Sequence, residues 1–126
     1  MIHLDANLLI ALVKKTDAHH PAAARVMTGS GPFVSSSIVW MEFLSKPVHP
    51  HDTAALQAIL TGGILPFDEK TATLAGELFH ATGSKRRTRL DTMIAATAIL
   101  AGAQLATTNP DDFQAFVPHG LKLHPL

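Results

Sequence analysis

The chain has 126 residues, which is the usual size of one domain and enough to bury one hydrophobic core. Hydrophobic residues make up 47% of it and charged residues 16%, a composition typical of a compact globule and not of a disordered chain. There is no cysteine, which excludes disulfides, zinc–thiolate sites and cysteine nucleophiles and suits a protein of the reducing cytoplasm. Ten basic residues balance ten acidic ones, so net charge gives no overall attraction to nucleic acid.

The first half of the chain alternates short apolar strands with helices. Its predicted elements are strands at residues 2–4 and 33–35 and helices at 7–13, 17–27 and 38–44. Asp5 is the expected N-cap of the first helix, and Asp17 begins the second. Ser36 or Ser37 caps the third helix, which Pro47 stops. The apolar N-terminus has no basic leader and is interrupted by Asp5, so we expect a folded element and not a signal peptide.

The second half continues the alternation, and no apolar run in the chain is long enough to span a bilayer. Its predicted elements are helices at residues 51–60, 69–79 and 91–101 and strands at 64–66, 104–107 and 121–124. Asp68 is the expected N-cap of the middle helix and Gly102 the C-cap of the last, while Pro66 limits its strand to an edge or an end. Interleaved strands and helices predict a three-layer α/β/α fold with a central, mostly parallel sheet, forming a single domain over residues 1–126.

Four carboxylates mark the candidate site: Asp5, Glu42, Asp91 and Asp112. Each lies near the end of a predicted strand or early in the helix that follows, inside an otherwise apolar stretch where a bare charge is costly. Ligands of an open parallel sheet gather at the carboxyl ends of its strands, so these acids are expected to meet there. A hard cation such as Mg²⁺ or Mn²⁺ would keep them ionised together. The pattern therefore indicates metal-assisted cleavage of a phosphodiester.

Each acid also has an ordinary alternative. Asp5 and Asp91 could serve only as helix caps, and Glu42 could mark the solvent face of an amphipathic helix. Asp111 and Asp112 could be turn residues after a proline. No histidine forms a recognisable ligand pair, so we give none of the eight a role in the mechanism.

A basic cluster, defined here as Lys85, Arg86, Arg87 and Arg89, stands immediately before Asp91 with no acid inside it. Cations beside an acidic metal site are suited to holding a substrate with a phosphate backbone. The ordinary alternative is a solvated loop between two helices.

Four segments together resemble the PIN-domain ribonucleases, and in size and pattern the VapC-type toxins of type II toxin–antitoxin pairs. They are IHLDANLLIAL at 2–12, SSSIVWMEFLSK at 35–46, RLDTMIAATAILAGAQLATTN at 89–109 and PDDF at 110–113. The third is the most specific, because its acid, Ala-rich helix, glycine, short strand and Thr-x-Asn occur in the family's order. The resemblance implies a Mg²⁺- or Mn²⁺-dependent endoribonuclease with a cognate antitoxin, and it implies a homodimer.

By the same resemblance, Asp5, Glu42 and Asp91 correspond to the family's metal-binding acids. Many relatives place an aspartate where this chain has Asn109, so we expect Asn109 and Asp112 to complete the site, with the charge supplied by Asp112. A second departure is Ala6, where relatives often carry a small hydroxyl residue.

Two other functions remain open at this stage. One is a PIN-like RNA-binding or interaction module that no longer cleaves, which the asparagine at 109 keeps in view. The other is a small α/β protein that binds a phosphorylated ligand at a helix N-terminus, although no glycine-rich phosphate loop supports it. Trp40 and Phe43 are expected to contribute an apolar surface that a second copy or an antitoxin covers.

Overall fold

A computed structural model describes residues 1–126, and it alternates strands with helices along the whole chain. The strands are β1 (Ile2–Leu4), β2 (Phe33–Ser36), β3 (Gly63–Leu65), β4 (Gln104–Ala106) and β5 (Lys122–Leu123). The α-helices are α1 (Ala6–Val13), α2 (His20–Val26), α3 (Ser37–Leu44), α4 (Pro50–Ile59), α5 (Glu69–Ala81) and α6 (Arg89–Ala101). Two 3₁₀ segments lie at Arg86–Thr88 and Pro110–His119. None of the helices combines the length and apolar character needed to cross a membrane.

The five strands form one sheet in the order β3-β2-β1-β4-β5, and every neighbouring pair is parallel. The predicted α/β fold with a central parallel sheet is confirmed, and the strand ending in Pro66 lies at an edge as expected. β1 is central and entirely buried. Because all the strands run the same way, all five carboxyl ends lie along one edge of the sheet, where the loops after them converge.

The main core is a cluster of 20 buried hydrophobic residues drawn from the sheet, from helices α1–α4 and α6, and from the second 3₁₀ segment. Its largest fully buried side chains, Phe43, Phe113 and Phe116, are each about 1% exposed. The expectation that Phe43 contributes to an exposed apolar surface is therefore wrong. On the same helix it is Met41 and Leu44 that are exposed, at 51% and 43%.

The helix ends mostly follow the predicted caps. The side chains of Asp5, Ser36 and Asp68 each accept a hydrogen bond from a backbone N–H in the first turn of the helix they precede. Gly102 ends α6 in the left-handed conformation, at φ +65°. The second helix departs from expectation: it begins at His20, because the Asp17 carboxylate closes a separate turn by accepting a hydrogen bond from the backbone N–H of His19 at 2.8 Å.

Gly62 is the point where the turn after α4 crosses closest to β2. Its N–H donates to the carbonyl of Phe33 at 2.9 Å. A Cβ atom at this position would overlap the side chain of Val34 and lie 3.2 Å from that same carbonyl. The turn therefore passes β2 at a distance that only a residue without a side chain permits.

Candidate metal centre

One cavity of about 230 Å³ is lined by Asn7 and by all five residues predicted for the metal site: Asp5, Glu42, Asp91, Asn109 and Asp112. Asp5 directly follows β1, and Asp91 lies in the first turn of α6. Glu42 reaches the cavity from α3, while the remaining two lie in the segment after β4. The predicted convergence of these side chains at the carboxyl edge of the sheet is what the structure contains.

Asp5 is the most enclosed of the acids, with 6% of its surface exposed. Its Oδ1 accepts the N–H of Ala6 at 2.8 Å, as a helix cap does. Its Oδ2 accepts the hydroxyl of Thr107 at 2.8 Å and the side-chain amide of Asn7 at 3.3 Å. Asp5 is thus both a cap and a wall of the cavity, and three donors hold its carboxylate in one orientation.

Asn7 and Thr107 connect the ends of β1 and β4; in the sequence Thr107 stood out only as the threonine of Thr-x-Asn, and Asn7 was not singled out. The backbone N–H of Thr108 donates to Asn7 Oδ1 at 3.1 Å, and the N–H of Asn109 donates to Thr107 Oγ1 at 3.1 Å. The two residues therefore position both Asp5 and the loop that carries Asn109. The signal in the sequence was weak: Thr107 directly follows β4, and Asn7 lies in the first turn of α1, two residues after Asp5.

The acids repel one another, and this repulsion is visible in their pKa values. Burial, followed by the charges of Asp5 and Asp112, raises the pKa of Asp91 to about 6. Burial and then the charges of Asp5 and Asp91 raise the pKa of Glu42. Burial also raises the pKa of Asp5, against the opposing effect of its hydrogen bonds from Thr107, Ala6 and Asn7. All the charged neighbours responsible are carboxylates, so no cation of the chain neutralises this cavity.

Glu42 carries the clearest sign that the cavity is built for a ligand. Its Oε1 is buried and has no hydrogen-bond partner, a condition that costs free energy wherever it persists. The alternative that Glu42 only marks a solvent face is therefore wrong. A buried, unpaired carboxylate oxygen facing other carboxylates matches the donor set that Mg²⁺ or Mn²⁺ takes.

The side chains do not already form a closed coordination shell. As they stand, no three carboxylates or histidines lie close enough together to hold one ion. The shared cavity, the mutual pKa effects and the orphaned oxygen of Glu42 nevertheless show that the acids are neighbours. Mg²⁺ also keeps several waters when it binds to proteins, so it needs only one or two direct carboxylate ligands. The residues fit a divalent cation held partly through water.

Two further alternatives are resolved by position. Asp91 is not a cap, because the N-cap residue of α6 is Thr88, which makes no capping hydrogen bond. Asp111 and Asp112 do open the 3₁₀ segment after Pro110, but only Asp112 also lines the acid cavity. None of the eight histidines lines it either.

The basic cluster is divided by the structure. Lys85 and Arg87 line a second cavity of about 460 Å³, which shares Asp91 and Asp112 with the acid cavity. The guanidinium of Arg89 lies over the ring of Phe79 instead, 5.5 Å from its centroid, and borders an apolar groove between α5 and α6. Arg86 lines neither cavity.

Comparison with known proteins assigns this architecture to a family. The family model of the PIN domain matches residues 2–117, so the chain belongs to the PIN-domain family. A comparison with curated proteins gave no significant match.

Several solved structures are similar over nearly their full length. FitAcB from Neisseria gonorrhoeae is 22% identical at a TM-score of 0.73, covering 99% of this chain and 97% of the other. VapBC2 from Rickettsia felis, bound to a promoter DNA fragment, is 22% identical at a TM-score of 0.69, covering 98% of this chain and 98% of the other. Mycobacterium tuberculosis VapC20, described as a toxin that cleaves the sarcin–ricin loop, is 20% identical at 0.71, covering 99% and 100%. At such identities these structures establish the shared fold.

Proposed function

We propose that the protein is a metal-dependent endoribonuclease and the toxin of a toxin–antitoxin pair. The observation that carries the proposal is the cavity at the carboxyl edge of the sheet, where four carboxylates converge and a buried oxygen of Glu42 lacks a partner. Membership of the PIN-domain family supports it, and so do the structural neighbours described as a toxin–antitoxin complex and as a toxin.

In this proposal Asp5 and Asp91 hold Mg²⁺ or Mn²⁺ directly, while Glu42, Asn109 and Asp112 complete the site, in part through water. When bound, the cation lowers the pKa of water and offsets the negative charge that phosphodiester cleavage creates. Glu42 orients the attacking water and accepts its proton, because its buried Oε1 has no other hydrogen-bond partner. Asn7 and Thr107 keep the Asp5 carboxylate in place throughout.

The partners follow from the same comparison. An RNA strand is the proposed substrate, with phosphates held by Lys85 and Arg87, the two members of the basic cluster that line a cavity shared with Asp91 and Asp112. A cognate antitoxin is the proposed protein partner, because a similar solved structure from Klebsiella pneumoniae is described as a toxin–antitoxin complex. The exposed Met41 and Leu44 on α3, on either side of Glu42, suit contact with the antitoxin or with a second copy in a homodimer.

The decisive test compares Asp5→Asn and Asp91→Asn with the matched control Asp52→Asn, which changes an acid of α4 outside the cavity. We expect each site variant to lose at least about 100-fold in Mg²⁺-dependent RNA cleavage, the scale seen when one preorganised electrostatic group is removed. Circular dichroism would show that all three variants fold. Calorimetric titration with Mn²⁺ should show binding to the wild type and to the control only.

Two results would count against the proposal. Full cleavage by both site variants would end it. A wild-type protein that binds RNA but cleaves none, with or without Mn²⁺, would favour the non-cleaving module.

A further inference from the structure

The cavity lined by Lys85 and Arg87 adjoins the acid cavity along a shared wall formed by Asp91 and Asp112. We propose that it is a nucleotide subsite, which holds the phosphate and sugar next to the bond that is cut. This inference rests on the proposed ribonuclease function and assigns only part of the basic cluster to it. The cavity, at about 460 Å³, falls in the size range of small-molecule sites.

The two cations are available to an external anion. Both side chains are exposed, and they share the cavity with three acids, Asp91, Asp111 and Asp112. The charges that raise the pKa of Asp91 are those of Asp5 and Asp112, and neither cation is among the causes of that shift. Positive charge kept apart from the neighbouring carboxylates suits the phosphate of a strand whose next phosphate lies at the acids.

The remaining polar groups of the cavity add acceptors. The hydroxyl of Thr82 donates to the carbonyl of Leu78 at 2.8 Å, and that of Thr88 donates to the carbonyl of Lys85 at 2.8 Å. Both hydroxyl protons are therefore committed, and each oxygen can only accept from a ligand. Two cations beside acceptor oxygens match a phosphate joined to a group with hydroxyl or amino donors, which is the chemistry of a nucleotide.

The other half of the basic cluster provides an internal control. Arg89 is held over Phe79 at the apolar groove, and Arg86 lines neither cavity. Removing these two charges changes the net charge by the same amount as removing Lys85 and Arg87. Any difference between the two pairs must then come from where the charges lie and not from the overall field of the protein.

The test measures binding without cleavage. The full chain carrying Lys85→Gln with Arg87→Gln is compared with Arg86→Gln with Arg89→Gln. Fluorescence anisotropy with a short labelled single-stranded RNA in EDTA gives Kd between about 50 and 200 mM salt. We expect the first pair to weaken binding at least about tenfold at the low-salt end and to reduce the slope of log K against log salt by about 1.4. The second pair of substitutions should leave both the Kd and the slope close to the wild-type values.

Equal effects of the two pairs would overturn the subsite, and so would a wild-type protein that binds no RNA. If the first pair binds RNA as wild type does, its cations serve a different ligand, such as an acidic segment of a partner protein. Because the measurement excludes metal, its failure is separate from that of the nuclease proposal: active cleavage with equal slopes would remove only the subsite. Thermal melting of both variants would show that neither result reflects unfolding.

Discussion

The middle and the carboxyl end of β1 treat a buried ionisable side chain in opposite ways. His3 is fully buried, and neither ring nitrogen has a hydrogen-bond partner. Burial lowers its pKa to about 4, so it is neutral at physiological pH. Asp5, two residues later, is almost as buried but receives three hydrogen bonds.

The difference teaches where this fold tolerates a charge. In the body of the sheet, burial outweighs the little support that the backbone gives to the ionised imidazole, so the neutral form prevails. At the edge, burial and then the charge of Asp112 oppose the anion while three donors support it, and the pKa of Asp5 is raised. The two positions therefore respond to acid with opposite signs.

The largest expected effect concerns His3. Its pKa is lower in the folded chain than its ordinary value of 6.5, so stability is complete above about pH 6.5 and is lost as the pH falls toward 4. We expect protonation linked to His3 to lower the free energy of unfolding by about 3 kcal/mol over that pH range. His3→Leu, measured by urea unfolding at several pH values, should abolish that loss. It should also gain about 1–3 kcal/mol at pH 7, because it removes the unpaired ring nitrogens.

The contribution of His3 must be measured as a difference between the variant and the wild type, because several acids titrate in the same pH range. The free energy of unfolding of His3→Leu minus that of wild type should increase steadily from pH 7 to pH 4. A constant difference would mean that the imidazole is not held neutral by burial.

The next effect sharpens the description of Asp5. Thr107→Val removes the hydroxyl that donates to Asp5 Oδ2 and accepts from Asn109. We expect RNA cleavage to fall about 10- to 100-fold, as for a residue that orients a metal ligand. Mn²⁺ affinity, measured by calorimetry, should fall in parallel. The matched control is Thr97→Val, a similarly buried threonine whose hydroxyl bonds only within α6; equal losses in both variants would argue for a general packing defect.

The smallest effect is the loss in free energy of unfolding caused by the ionised Asp91 carboxylate. The pKa of Asp91 is raised to about 6, so the folded chain keeps its proton where the unfolded chain has lost it. Stability therefore falls as the pH rises from about 4 through 6, and the penalty is complete at pH 7. Without divalent metal, Asp91→Asn should be more stable than wild type by about 1 kcal/mol at pH 7, a figure reduced for solvent screening.

The Asp91→Asn gain should disappear below pH 4 and shrink when Mg²⁺ is added, since the cation stabilises only the wild-type site. Asp111→Asn, which alters an exposed acid outside the acid cavity, is the control and should leave stability unchanged. If Asp91→Asn is less stable than the wild type at pH 7, then burial and repulsion from Asp5 and Asp112 do not destabilise the ionised Asp91.

Much of this arrangement could be read from local sequence. Short apolar runs gave the strands, and Asp5, Ser36 and Asp68 marked helix starts because a carboxylate or hydroxyl before an apolar helix satisfies free N–H groups. The convergence of the acids followed from one further rule, that parallel strands end at the same edge.

The features that could not be predicted depend on contacts between residues far apart in sequence, or on the direction in which a turn orients each of its side chains. The hydrogen bond between Asp5 and Thr107 joins positions 102 residues apart, and no local pattern reports it. A 3₁₀ turn at Arg86–Thr88 orients the basic cluster, and only two of its four cations line the cavity beside the acids. The basic residues in the sequence do not indicate which two these are. The Asp17 side chain closed a turn, although the same residue type caps helices elsewhere in the chain.

Gly62 extends the influence of the site to the far edge of the sheet. The turn that contains it rests against β2, and β2 runs directly into the helix that carries Glu42. A larger residue there would have to push this strand aside, and the displacement would pass along the backbone to that glutamate. A genetic screen for inactive variants should therefore recover substitutions at this glycine, and its tolerance to drift should be as low as that of the acids themselves.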